Sequence, residues 1–438
     1  MPARSSAFRP IPLWTLASGV SLLAGGASCG AEPAAGAKPD GASLDTAAVF
    51  QVQCKATVKW SEVFPLDGYL SLAFGVHPRP SGDMLVVTRA ETEAEVDTLR
   101  VLALDGDGKV QWDALYGDPE TSTETGGLVL LPDGQFVLMV GQADTDAAGG
   151  QRILVCGDEG MVFSENVIES ETVSQVSGAL LMPDGRIAVS GATPESSTDQ
   201  GSWWNAVVDV NGTVIWEKTG GTPGWDSGSK LLMLSGGQLL YMARLDEDGS
   251  GDTLVMARSP AGELYWEQTL SGEGHRFLYL MDEVSGGVLI LGDASRSPPD
   301  RVRFGVGVYG DRRDVFSAAL DLDGNLLWSK QALWDERGTQ VFGSVVAADG
   351  GLFVVGMHGL FPMPSESYGG YLARLGQDAE RLWETGLQHE SKTVFPLTLA
   401  VWPDGDLIVA GYRYSVDGKH LNMDRWVSRM SVSCEGLQ

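Results

Sequence analysis

Short apolar runs alternate with turns rich in Asp, Asn and Gly along most of the chain. The clearest examples are VLALDGDGKVQW (101–112), AVVDVNGTVIW (206–216), LVMARSPAGELYW (254–266) and SAALDLDGNLLW (317–328). Two apolar runs around such a turn are the short-range signal of a β-hairpin. A glycine stands four residues before the closing aromatic in each segment, which suits a turn position with positive φ. These glycines are Gly108, Gly212, Gly262 and Gly324.

The closing aromatic recurs at intervals of 50 to 62 residues, at Trp60, Trp112, Phe163, Trp216, Trp266, Trp328 and Trp383. A second Gly-containing turn recurs at 80–82, 132–134, 183–185, 235–237, 285–287, 348–350 and 403–405. A fixed period of this size is typical of repeat architectures. The pattern predicts an all-β fold over residues 51–436, a seven-bladed β-propeller of four-stranded antiparallel blades. The repeated aromatics are expected to pack between blades rather than to bind a ligand.

The two ends of the repeat region each hold part of a repeat. CKATVKWSEVF (54–64) matches a fourth strand without the three before it, and DRWVSRMSVSC (424–434) matches a third strand without its successor. We therefore expect the N-terminal strand to join the C-terminal blade and close the ring, which removes exposed sheet edges. Cys54 and Cys434 fall where other repeats turn from third to fourth strand, so the pattern predicts a disulfide. Two free thiols are the alternative, and Cys156 has no evident partner.

The start of the chain predicts export. Residues 1–28 contain Arg4, Arg9, no acid and an apolar stretch at 11–27, which is typical of a signal peptide. Its end, Gly26-Ala27-Ser28-Cys29, resembles a bacterial lipoprotein signal, and the resemblance implies lipidation of Cys29 and anchoring at the outer membrane. Residues 29–50 are rich in Ala, Gly and Pro and predict a flexible tether. Export also supports the disulfide, because that compartment is oxidising.

The acidity of the chain limits its partners. With 30 Lys and Arg against 58 Asp and Glu, the formal net charge is −28. Nucleic-acid binding needs a basic footprint, so this class of function is excluded.

The loops between second and third strands differ most among the repeats, and binding residues gather on variable loops of a rigid scaffold. Three of these loops are acidic (90–97, 143–150 and 245–252), whereas those at 293–314, 356–370 and 412–426 carry arginines and aromatics. Such residues are typical of binding hot spots. The predicted ligand- or partner-binding residues are Arg301, Arg303, Arg312, Phe361, Tyr368, Tyr412, Tyr414 and His420. The alternative is that the arginines pair with nearby aspartates and the aromatics pack along the loops.

One acidic loop has the spacing of a calcium site. Asp246, Asp248, Ser250 and Asp252 alternate as oxygen ligands, with Gly251 at a turn. Ala257 stands at the twelfth position, where a complete EF-hand loop has an acid, so a solvated acidic loop is the alternative. The sequence indicates no other cofactor.

The hairpins ALDLDGNLLW (319–328) and ALDGDGKVQW (103–112) resemble the repeats of the quinoprotein-like β-propellers. This group includes quinone-dependent dehydrogenases and the lipoprotein propeller that helps to assemble outer-membrane proteins. The resemblance implies a disc with a central channel. The dehydrogenases use eight blades and commonly adjacent cysteines, whereas this chain has seven repeats and no adjacent cysteines. Its five histidines show no metal-ligand spacing.

Two classes of function remain. The first is a non-catalytic binding or scaffold module, tethered to the cell envelope by its lipid, with an envelope protein or polysaccharide as partner. The second is a glycan-active hydrolase or lyase, which would need a pair of carboxylates about 5–10 Å apart at the channel mouth. First strands rich in Ser, Gly and Val, as in VSGALLMPDG (176–185), favour binding, so the sequence predicts the first class.

Overall fold

The computed structural model describes residues 53–65, 70–91, 97–117, 123–142, 150–173, 175–193, 201–222, 226–245, 251–271, 276–295, 313–359, 369–417 and 420–435. Within these ranges the regular elements are all β-strands. They are β1 (Gln53–Phe64), β2 (Leu70–Pro78), β3 (Asp83–Glu91), β4 (Asp97–Asp105), β5 (Val110–Tyr116), β6 (Thr123–Leu130), β7 (Phe136–Gln142), β8 (Arg152–Cys156), β9 (Val162–Val167), β10 (Gln175–Leu181), β11 (Ile187–Ala192), β12 (Trp203–Val208), β13 (Val214–Gly220), β14 (Ser227–Met233), β15 (Leu239–Leu245), β16 (Asp252–Arg258), β17 (Leu264–Leu270), β18 (Arg276–Val284), β19 (Gly287–Ser295), β20 (Arg313–Leu320), β21 (Leu326–Ala332), β22 (Thr339–Val346), β23 (Leu352–His358), β24 (Gly369–Leu375), β25 (Arg381–His389), β26 (Lys392–Val401), β27 (Leu407–Asp417) and β28 (His420–Glu435). Over the same ranges, no helix has the length and apolar character needed to cross a membrane.

The strands pair antiparallel in groups of four. Four groups are separate sheets: β6–β9, β10–β13, β14–β17 and β18–β21. The remaining strands follow one path, from β22 through β28 and on to β2–β5, with β1 paired to β28. Two links in this path are short, since β25 and β26 share two residue pairs and β28 meets β2 at one parallel pair. The all-β, antiparallel prediction is confirmed, and such sheets are those of a β-propeller; the blade number and the closure of the ring stay predictions.

The core lies between successive sheets. In one layer, Leu240 and Met242 of β15 pack with Ile290 and Phe316 of the following sheet. Each large apolar side chain buried in this way stabilises the fold by about 2–3 kcal/mol. Side chains of neighbouring four-stranded groups therefore hold each other in place without strand pairing.

The two ends of the repeat region meet. β1 pairs antiparallel along β28, from Gln53 opposite Glu435 to Phe64 opposite Arg425. The predicted disulfide between Cys54 and Cys434 is confirmed. Cys156 is buried and free.

Most of the repeated tryptophans contact a turn of the next sheet. An added Cβ at Gly108, Gly160, Gly262 or Gly324 would lie under 3.0 Å from the ring of the tryptophan one repeat earlier. The indoles of Trp60, Trp112, Trp216 and Trp266 also donate to backbone carbonyls of these turns, at 2.9 to 3.0 Å. These four glycines thus combine a positive φ with the close approach of an indole. These four aromatics pack between sheets, as the sequence predicts.

Phe163 departs from this arrangement. Its ring is 61% exposed and lies against Gly157 of its own hairpin. Gly212, the glycine of the next repeat, instead faces the backbone carbonyl of Val167. Without an indole N–H, Phe163 cannot make the bond to the next turn that the tryptophans make.

Candidate functional site

Most predicted site residues lie outside the described residues. These are the binding residues Arg301, Arg303, Arg312, Phe361 and Tyr368, the calcium candidates Asp246, Asp248 and Ser250, and the lipidation site Cys29. The backbones of Tyr414 and His420 lie in β27 and β28, where they pair with Met423 and Asp417. Binding by all of these residues stays a prediction.

Tyr412 is the predicted binding residue whose side chain the structure describes. Its ring is 5% exposed and stacks on Phe395, with 5.0 Å between ring centroids and 13° between planes. For this one ring the structure favours the packing alternative, since a buried stacked ring supports the strand ends beneath the loops.

The strand ends beside the segment 296–312 hold a buried acid with two donors. Asp293 of β19 is fully buried, and Arg313 Nη1 donates to its Oδ2 at 2.7 Å while the Tyr279 hydroxyl donates to its Oδ1. Burial raises the pKa of Asp293, against the lowering effect of the Arg313 charge and of these hydrogen bonds. Burial, together with the adjacent Asp293 charge, raises the pKa of Tyr279 well above its usual value. This network fixes the side chain of Arg313, the first described position after the segment 296–312.

Two arginines contact one aromatic ring at the same edge. The guanidinium carbons of Arg244 and Arg313 lie 4.8 and 4.5 Å from the centroid of Phe277. Arg244 belongs to the preceding sheet, so the ring joins the two sheets through cation–π contacts. Arg313 lies within the predicted 293–314 loop and is paired with Asp293, whereas Arg244 comes from outside that loop.

Arg276 begins β18 on the other side of Phe277. It is 8% exposed, and its guanidinium lies 4.5 Å from the centroid of Phe316. Burial lowers the pKa of Arg276, while the charge of Asp252 opposes this shift. Its Nε has no hydrogen-bond partner among the described residues.

A histidine network supports the edge beside the segment 360–368. His358, the last residue of β23, contacts Glu384 Oε1 at 2.8 Å through Nε2 and Thr339 at 3.1 Å through Nδ1. Its ring stacks on Tyr371 at 4.5 Å, and Arg381 donates to Glu384 at 2.6 Å. Burial would raise the pKa of Glu384, but His358 and Arg381 outweigh it and lower that pKa. Each polar group has a partner, so the network positions the strand end.

A charged cluster that the sequence does not predict lies on the first strands of three successive sheets. Lys230 lies on β14, Asp282 on β18 and Ser344 on β22, and the Ser344 hydroxyl donates to Asp282. Burial raises the pKa of Asp282, against the effects of Ser344 and Lys230. Burial also lowers the pKa of Lys230, against the attraction of Asp282. Perturbed groups that converge in this way mark functional sites, although structural ion pairs perturb pKa values too.

The described residues hold no group of three or more His, Cys, Asp or Glu arranged for a metal ion. Asp252 is the calcium candidate among them. Its Oδ2 accepts a 2.7 Å hydrogen bond from Ser271, and Arg276 lies close enough for their charges to interact. Calcium binding by this loop stays a prediction.

The model of the family described as outer membrane protein assembly factor BamB matches residues 205–395, 191 of the 438 residues. The match supports the resemblance to quinoprotein-like repeats over the strands that carry the clusters above. No curated protein is similar enough to match the chain.

Several solved structures are similar to this chain. A protein of unknown function from Dyadobacter fermentans is 12% identical, with 86% of this chain and 99% of that chain covered and a TM-score of 0.46. A member of the duf4221 family from Bacteroides vulgatus is 10% identical, with 87% and 99% covered and a TM-score of 0.41. A gluconolactonase from Xanthomonas campestris is 13% identical, with 72% and 91% covered and a TM-score of 0.36.

Proposed function

We propose that the chain is an exported propeller, anchored to the cell envelope through a lipid on Cys29, that binds an envelope protein as a non-catalytic scaffold. The four-stranded groups would be seven blades, with β1 completing the last blade and closing the ring. The pairing of β1 along β28 and the disulfide at that position support this closure. The partner would bind the loops at 293–314, 356–370 and 412–426.

The observation that carries the proposal is the support beneath two of these loops. The segment 296–312 is flanked by the Tyr279–Asp293–Arg313 network, and 360–368 follows His358 with its bonds to Thr339 and Glu384. Charge-assisted hydrogen bonds of this kind hold side chains in fixed positions. A rigid edge that presents variable arginine- and aromatic-bearing loops is the usual construction of a binding surface.

The family match also supports an envelope protein as the partner. The matched family is named for a factor in outer-membrane protein assembly, and a partner in that setting is a protein of the envelope. A polysaccharide partner is the outcome to consider if no protein is captured.

The test is in-cell cross-linking of the full chain in its own envelope, followed by capture under denaturing conditions. One variant carries Arg301→Ala, Arg303→Ala, Phe361→Ala and Tyr414→Ala. A control variant carries Lys55→Ala and Lys109→Ala, two exposed cations at the opposite, hairpin-turn edge of the sheets. We expect one protein partner with wild type and control that is lost, by roughly tenfold or more, with the loop variant, as for removal of several hot-spot residues. Equal capture by all three forms, or no protein with any of them, would contradict the proposal.

The second candidate function is a glycan hydrolase or lyase, and Asp282 in the Lys230, Asp282 and Ser344 cluster would supply one of the two carboxylates that it needs. A carboxyl whose pKa is raised by burial can serve as a general acid, and Asp282 has this property. If no protein is captured, envelope polysaccharide should be incubated with wild type and Asp282→Asn. Cleavage that disappears in the variant would support the enzyme, and no cleavage by wild type would exclude it.

A further inference from the structure

Arg276 differs from the other buried arginines by having no acceptor for its guanidinium among the described residues. Arg258 donates to the carbonyl of Gly262, Arg374 to Asp349, and Arg425 to the carbonyl of Phe64. The Nε of Arg276 is buried without a partner, as are those of Arg79 and Arg258, but the guanidinium of Arg276 has only the face of Phe316 as its contact among the described residues. A buried charged donor without an acceptor destabilises a protein unless something else binds it.

The carboxylates near Arg276 are engaged elsewhere. Asp252 interacts with it through charge but accepts its hydrogen bond from Ser271. Asp314 lies on the same side of the sheet, across Ala294 in register, and accepts from Gln331 at 2.9 Å. Neither makes an ion pair with the guanidinium within the described residues.

We propose that Arg276 binds a carboxylate group of a ligand at the edge between the β14–β17 and β18–β21 sheets. The ring of Phe316 holds the guanidinium plane, which leaves its N–H edge for a carboxylate in the paired geometry that arginine favours. Arg244 and Arg313 lie over the ring of the adjacent residue Phe277, and Arg313 is already paired with Asp293. In a chain of net charge −28, an arginine without an ion pair among the described residues is where an anionic group would be attracted rather than repelled.

The carboxylate would be an acidic side chain of the envelope protein proposed above, and an acidic sugar is the other outcome that the test distinguishes. This site deepens the proposed binding function by naming the chemistry that one part of the ligand must carry. Titration with small carboxylates tests the site at Arg276 without the partner, so a negative result there can be told apart from a negative partner-capture experiment. If small carboxylates bind but no protein partner is captured, the scaffold proposal is wrong. If a partner is captured but small carboxylates do not bind, the carboxylate site at Arg276 is wrong.

The experiment is an NMR titration of the full chain labelled at arginine side chains, at constant ionic strength. The probes are sodium acetate, methyl glucuronate and N-acetylglutamate amide, with sodium chloride as the anion control. We expect a saturable shift of one Nε–Hε signal, assigned by its loss in Arg276→Lys, and binding at least roughly tenfold weaker in that variant because lysine lacks the paired donors. Tighter binding of the glucuronate or of the glutamate derivative identifies the source of the carboxylate.

Two further variants test the assignment. Asp252→Asn removes a competing negative charge and should strengthen acetate binding several-fold, which a purely structural role for Arg276 would not produce. Arg258→Lys alters another buried arginine and should leave the affinity unchanged. The proposal is overturned if wild type shows no saturable shift, if chloride produces the same shift, or if Asp252→Asn leaves the affinity unchanged.

Discussion

His77 shows how one buried side chain sets a pH dependence. It lies in β2, 2% exposed, and its Nδ1 has no hydrogen-bond partner among the described residues. Burial lowers the pKa of His77 from 6.5 to about 3. Between these values the unfolded chain binds a proton that the folded protein does not bind, so the free energy of unfolding decreases as pH falls through this window. The decrease should approach about 1.4 kcal/mol for each pH unit.

Urea unfolding of wild type and His77→Gln between about pH 7 and about pH 5 measures this effect. Most carboxylates remain ionised over that interval, so they contribute little to the difference between the two proteins. We expect the unfolding free energy of wild type to fall more steeply with decreasing pH than that of His77→Gln. Parallel curves would mean that the imidazole is protonated in the folded protein.

At the scale of the hairpin, the repeat is built on the contact between a tryptophan and the turn of the next sheet. Gly262 and Gly185 have nearly the same backbone, with φ of +88° and +86°. An added Cβ at Gly262 would lie 2.7 Å from the Trp216 ring, whereas nothing lies within 4 Å of one at Gly185. Gly185→Ala should therefore lower the free energy of unfolding by about 1–2 kcal/mol through backbone strain alone. Gly262→Ala should lower the free energy of unfolding by about 1–3 kcal/mol more than this, because the added methyl group also overpacks against the indole.

Chemical denaturation of the two glycine variants gives this difference directly. A third variant, Gly262→Ala with Trp216→Leu, removes the indole and should make the added methyl group less destabilising than it is beside Trp216. If Gly185→Ala and Gly262→Ala lower the free energy of unfolding equally, the close contact with the indole does not destabilise the Gly262→Ala variant.

The hairpins and the disulfide could be predicted because their signals are local. A turn glycine, a closing aromatic and the phase of Cys54 and Cys434 within the repeat can all be counted along the chain. The meeting of Lys230, Asp282 and Ser344 could not, because each stands alone on its strand and the three converge only when sheets pack. The same holds for Arg276, since the sequence shows an arginine but not whether an acceptor faces it. Phe163 matched the repeat by position, yet its ring lies against its own hairpin, which the repeat pattern does not show.

At the scale of the whole molecule, one covalent bond joins strands from opposite ends of the repeat region. Cys54 and Cys434 are separated by 380 residues, and β1 pairs with β28 next to the bond. In the chain-entropy model a cross-link over so long a loop stabilises the folded protein by about 6 kcal/mol, mainly by restricting the unfolded chain. Trp383 and Cys54 belong to the same core cluster. In most other repeats the closing aromatic packs on the turn between the third and fourth strands of the next repeat, so the disulfide lies where such a turn would be.

We expect the double variant Cys54→Ser with Cys434→Ser, and reduced wild type, to unfold at lower denaturant concentration than oxidised wild type. The unfolded chain without the bond is more expanded, so the dependence of the unfolding free energy on denaturant should become steeper. Cys156→Ala, which alters the buried free cysteine, should keep its sensitivity to reductant. If reduction changes neither the midpoint nor the slope, the pairing of β1 with β28 alone holds the two ends together, and the disulfide contributes no stability.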